Sequence, residues 1–415
     1  MQELKFKDTP YIIKQKKYST IELLLIFPCE YDKNNLFDFH MIRQLLLNTS
    51  EEYETEEKYR KAYKENMIIS QTLKISTHNK NTFLSFGLLV PDPKKVKNYD
   101  FEAAFKFFIN TIYKPNIKNN KFNLECFERE KEYLKEDIQN SLKNIHTLAH
   151  QKFINIVDDN GILKENIYNN MDLIEKSNSE EVYKKYKKYI LNNKPIIMIY
   201  GNVDNKIEEI VKKYIKIENK EIIINKYNTN YLIPFKAKKD IEEKSKYNQS
   251  FLYVAYKIKN MKKSDQIYLK IIKDILSTSP NNLVFKELRN NLGLIYSSDV
   301  WYCKEGLLVI ESYINNKSKD KVIEGIENIL KKLKNKELLE EYINKRLEYM
   351  KFKLIRNKDS RVKKFNDFIA HKLKTRYTDE ELMEKYKNID LDKLLEFLNR
   401  LTMDTIYFLR GEFNE

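Results

Sequence analysis

Two stretches far apart in the chain end alike: Leu45-Leu46-Leu47-Asn48-Thr49-Ser50 and Ile275-Leu276-Ser277-Thr278-Ser279. Each closes a segment with helical spacing. In the second, Gln266 to Leu276, Ile267, Ile271 and Ile275 share one face, and Ser264 or Asp265 is the expected cap. Outward from these endings the same order of elements occurs twice. A β-rich run precedes each, Ile21 to Phe27 and Phe251 to Ile258. A second strand follows each, Thr82 to Val90 and Gly306 to Ile314. Next comes a helix with a strong apolar face. Phe101 to Tyr113 aligns Phe101, Ala104, Phe105, Phe108, Ile109 and Ile112, and Lys321 to Leu333 aligns Ile323, Ile326, Leu330 and Leu333. Charged helices carry Glu132-Tyr133-Leu134-Lys135 and Glu348-Tyr349-Met350-Lys351. Pro195 to Gly201 and Thr405 to Gly411 close the two halves as strands. A period this long marks an internal duplication. Strands mixed with long helices, without strict alternation, predict an α+β fold of two related halves. Each half is expected to be a mainly antiparallel sheet with helices packed on one face. The halves are placed at residues 1–217 and 248–415. A Lys- and Glu-rich connector with short β-prone pieces such as Ile222 to Ile224 joins them at 218–247.

Composition narrows the function. The chain has 415 residues, 42% hydrophobic and 13% aromatic, enough for two cores. Its net charge is +15, yet 61 acidic residues interleave with 76 basic ones and no Arg-rich block stands out. That pattern reads as solvated surface and not as a nucleic-acid groove. Seven glycines, none clustered, argue against a phosphate-cradling loop. Three distant cysteines, Cys29, Cys126 and Cys303, form no disulfide framework or zinc ribbon. No apolar run spans a membrane and no apolar segment follows the first lysines, so the expected setting is cytoplasmic.

The second half contains Leu283-Val284-Phe285-Lys286-Glu287-Leu288-Arg289-Asn290-Asn291-Leu292-Gly293-Leu294-Ile295-Tyr296-Ser297, and the first half ends Tyr200-Gly201-Asn202-Val203-Asp204. With the duplicated layout, these stretches resemble the insulinase/pitrilysin family of zinc peptidases. Active members carry His-x-x-Glu-His on the first long helix: two histidines one turn apart bind zinc, and the glutamate activates the metal-bound water. Aligned by the helix ending, this chain has His40-Met41-Ile42-Arg43-Gln44. Arg43 replaces the base and Gln44 replaces the second ligand. A guanidinium is always charged and donor-only, so it cannot take a proton. The family's third ligand falls near Glu136 or Asp137. The resemblance therefore implies a metal-less, non-catalytic subunit, with zinc expected in a partner bearing the intact motif.

In active members an arginine and a tyrosine reach toward the zinc from the facing half and hold the substrate and its tetrahedral intermediate. Arg289 and Tyr296 match that pair. The expectation is a heterodimer that cleaves peptides, with this chain supplying the pair and half of a chamber. A structural scaffold or peptide-binding module with no catalytic role is the alternative. His146 and His150, four apart on an expected helix, could share a metal but lack an evident third ligand; ordinary packed histidines are the plainer reading. Thr82 to Val90 lies where family members offer an edge to an extended peptide, and an interior strand is equally open.

Overall fold

The computed structural model describes residues 2–6, 10–32, 35–78, 81–158, 161–169, 171–215, 222–226, 233–234, 239–278, 281–373 and 376–412. These form two compact units, one of residues 1–139 with 165–229, the other of 140–164 with 230–415.

The first unit holds β1 (Gln2–Phe6), β2 (Tyr11–Lys14), β3 (Thr20–Glu30), β4 (Ser70–His78), β5 (Asn81–Pro91), a short hairpin of β6 (Ile117–Lys118) and β7 (Lys121–Phe122), β8 (Ile196–Gly201) and β9 (Ile222–Lys226). Its main sheet has the order β2-β8-β3-β5-β4, all antiparallel except the β2–β8 edge pair. The helix Phe101–Tyr113 has the predicted limits, and its six apolar-face residues are all buried. Asp100 caps it, its carboxylate accepting from the Ala103 N–H.

The second unit repeats the plan with β10 (Lys239–Lys244), β11 (Ser250–Ile258), β12 (Ile295–Cys303), β13 (Leu307–Ile314) and β14 (Leu401–Arg410) in the order β10-β14-β11-β13-β12. The parallel pair again lies at one edge, β10 with β14. Helices Gln266–Ser277, Lys319–Lys332, Lys336–Asn357 and Leu391–Arg400 bury their apolar faces with Leu252, Val254, Leu308 and Ile310 in one core. The sheets are thus mainly antiparallel, in two related halves, as the duplication predicts.

Of the two readings left open for Thr82 to Val90 the interior one holds, and two other details differ from the expectations. Thr82 to Val90 falls in β5, which pairs with β3 on one side and β4 on the other; it is interior, and the edge strand is β4. Asp265 precedes the helix Gln266–Ser277 without capping it. Its carboxylate instead accepts from the Lys262 N–H (2.9 Å) and the Arg400 guanidinium (2.7 Å). The segment 218–247 contains β9, paired with β1, and β10, an edge of the second sheet; its residues 218–221, 227–232 and 235–238 lie outside the described ones.

The face of the second sheet opposite its main helices is also covered. The helix Ile145–Val157 packs there, placing Ala149, Phe153, Ile154 and Val157 against Phe251, Tyr253, Val309 and Tyr407. This second cover explains why every residue of β11 is buried, where β3 leaves Thr20, Glu22, Leu24 and Pro28 half-buried and Glu30 exposed.

Candidate functional site

His40, Arg43 and Gln44 lie on the helix Leu36–Leu46, whose buried residues are Phe37, Phe39, Met41, Ile42, Leu45 and Leu46. His40 is half-buried and Arg43 exposed. Burial first, and the Arg43 cation second, push the His40 imidazole down to about 4. Glu136 and Asp137 are exposed on the helix Leu124–Lys143. Among the described residues, no three His, Cys, Asp or Glu side chains come together in a group able to hold a metal ion. The zinc of active family members does not fit these residues: one imidazole beside a fixed cation lacks the ligand set and charge balance that a dication needs.

The Arg289–Tyr296 region is built differently. Phe285–Asn291 is a π-helix that ends at Gly293, where φ is +64°. This left-handed turn suits glycine. The Gly293 N–H donates to the Arg289 carbonyl (3.0 Å) and the Leu294 N–H to the Leu288 carbonyl (2.8 Å), reversing the chain into β12. β12 is an edge strand. Its ladder with β13 pairs Ile295 with Ile314 and then Ser297 with Tyr313, so Tyr296 is the extra residue of a bulge. Arg289 holds that bulge. Its Nη1 donates to the Ile295 carbonyl (3.1 Å) and to the Tyr296 carbonyl, and its guanidinium carbon lies 5.7 Å from the Phe285 ring centre. Arg289 remains exposed, and Tyr296 is 50% exposed. Glu287 pairs with Lys332 (3.2 Å) and leaves the arginine alone. The structure therefore brings Arg289 and Tyr296 together through the backbone of one bulge, with the phenol facing solvent.

His146 and His150 serve packing. His146 Nε2 pairs with Glu311, and the His150 ring lies 5.5 Å from that of Trp301. Burial raises the Glu311 carboxyl, opposed chiefly by His146. Sequence reasoning missed this contact and the buried pair Lys257–Asp404 (3.0 Å). The signal was present: a lone lysine and a lone glutamate sit inside the apolar strands Phe251–Ile258 and Leu307–Ile314.

Comparison with known proteins finds a family match for part of the chain and a shared fold for nearly all of it. Residues 176–348 match the family model of the peptidase M16 inactive domain. That segment of the chain is similar to an M16 inactive domain. The chain's fold is similar to that of a conserved protein from Enterococcus faecalis V583, with TM-score 0.79 and 18% identity over 97% of this chain and 96% of that one. A protease from Helicobacter pylori gives TM-score 0.73 and 16% identity over 96% of each chain. A peptidase M16 inactive domain from Pseudomonas fluorescens gives 0.69 and 12%, over 100% and 98%. No curated protein matches by sequence. The M16 match spans the end of the first half and much of the second, including Arg289 and Tyr296.

Proposed function

We propose that this chain is the non-catalytic subunit of a heterodimeric zinc peptidase, completing in trans a site whose metal and base belong to a partner bearing His-x-x-Glu-His. The observation that carries the reading is the Arg289-held bulge, which presents the Tyr296 phenol to solvent from an edge strand. A phenol there can donate one hydrogen bond to the oxyanion that forms as water attacks a peptide carbonyl. Arg289 spends one nitrogen on the bulge. Its other N–H groups suit a substrate backbone carbonyl or carboxylate. His40-x-x-Arg43-Gln44 supports the division of labour, because neither a dication nor a general base has a place there. Zinc in the partner is part of the proposal, as is a peptide substrate.

The test is co-purification with a neighbouring chain that carries the intact motif, followed by cleavage of fluorogenic peptides. Tyr296→Phe should lower kcat/KM of the complex by about 10²-fold, the usual effect of losing one oxyanion donor. Arg289→Ala should lower it by at least as much, since it also frees the bulge. A complex indifferent to both changes would leave the chain as a structural subunit only.

A further inference from the structure

A phenol on an edge-strand bulge has no ladder partner of its own, and in solvent its ring would move among staggered rotamers. Two contacts restrict it here. Arg289 holds the backbone on either side of the Tyr296 Cα through the carbonyls of Ile295 and Tyr296. Tyr313, across the ladder on β13, places its ring centre 4.8 Å from that of Tyr296, tilted by 39°. Tyr313 is itself fixed from behind. Its ring stacks on Phe251, with centres 5.5 Å apart and planes within 19°. Phe251 is 7% exposed and meets His146 edge-on at 5.7 Å, while His146 is tied to Glu311. Four rings thus run from the helix Ile145–Val157 to the exposed phenol.

We propose that Tyr313 is a positioning residue: its ring holds Tyr296 in the one orientation from which the phenol meets a substrate, and Phe251 and His146 hold Tyr313. The inference rests on the function proposed above. A donor aligned before the reaction loses no freedom as charge develops, whereas a rotating one must be ordered at that moment. The ring of Tyr313 does this work, so phenylalanine should serve as well as tyrosine.

The experiment places 3-fluorotyrosine at position 296 of the full-length chain and records its fluorine resonance in three backgrounds. With Tyr313 or Tyr313→Phe, a single resonance displaced by the ring current is expected. With Tyr313→Leu, which keeps apolar bulk and the fold, the resonance should move toward that of the free amino acid. Thermal melting checks that each variant is folded. In the complex with the catalytic chain, Tyr313→Leu should lower kcat by about ten-fold with little change in KM, and Tyr313→Phe should restore it. A fluorine resonance unmoved by Tyr313→Leu overturns the proposal. So does an unchanged kcat in a complex that Tyr296→Phe does slow. If the resonance moves but Tyr296→Phe leaves catalysis untouched, the positioning contact stands and the assigned function fails.

Discussion

His40 is the residue where chemistry and stability meet. Its imidazole is pushed down to about 4 by burial and by Arg43. The unfolded chain takes up this proton near pH 6.5 and the folded chain does not until about 4, so His40 costs stability as the pH falls through that window, by up to about 3 kcal/mol. Asp38, two residues earlier, works the other way. Burial holds its carboxyl up at about 6, so it favours the folded state as the pH falls. The contribution of His40 is isolated by comparison: His40→Gln should show a smaller stability loss than the parent between pH 6.5 and 4 in denaturant titrations. Equal pH slopes would refute the depressed imidazole. At this scale the sequence supports expectations where residue identity alone carries the argument. An arginine at 43 cannot take a proton and an amide at 44 is a poor zinc ligand, whichever way the helix points. The bulge at Tyr296 was not legible, because an extra residue in a ladder is defined by the strand opposite and leaves no mark on a period of two.

Among the elements, the strands with strong apolar runs were found and the edges were not. β4 reads Ser70-Gln71-Thr72-Leu73-Lys74-Ile75-Ser76-Thr77, too polar to announce a strand, yet it pairs along its length with β5. Edge strands meet water on one side, so their sequences lose the signal that marks interior ones. The passage into each edge is also repeated: Met67 takes φ +47° before β4, and Gly293 takes +64° before β12. Only the second passage carries the Arg289–Tyr296 pair. Across β11 and β14, Lys257 and Asp404 form an ion pair with both side chains 3% exposed. Lys257 also donates to the Pro234 carbonyl (2.9 Å), and Asp404 accepts from Thr405 (2.7 Å). Lys257→Met should therefore cost about 3–5 kcal/mol, since it strands a buried carboxylate. Adding Asp404→Leu should recover most of that loss in chemical denaturation. If the double variant is no more stable than the single one, the pair is not what matters there.

For the molecule as a whole, the duplication was readable, while the exchange of residues 140–164 was not. Nothing in Ile145-His146-Thr147-Leu148-Ala149-His150-Gln151-Lys152-Phe153 says which unit its apolar face covers; only the tertiary fold assigns it to the second. There Phe153 is fully buried and stacks on Tyr253 with ring centres 4.8 Å apart. Phe153→Ala should destabilise the second unit by about 3–5 kcal/mol. Hydrogen exchange should then quicken in β11 and β14 more than in β3 and β5; uniform exchange across both sheets would contradict the assignment. The proposed division of labour requires that this chain, whose fold is similar to that of M16 peptidases, neither seats zinc nor ionises its water. The most direct measurement is the zinc content of the purified chain, taken together with its peptide hydrolysis. We expect negligible metal and no cleavage by the chain alone. One zinc ion per chain, with hydrolysis abolished by a chelator, would contradict the account.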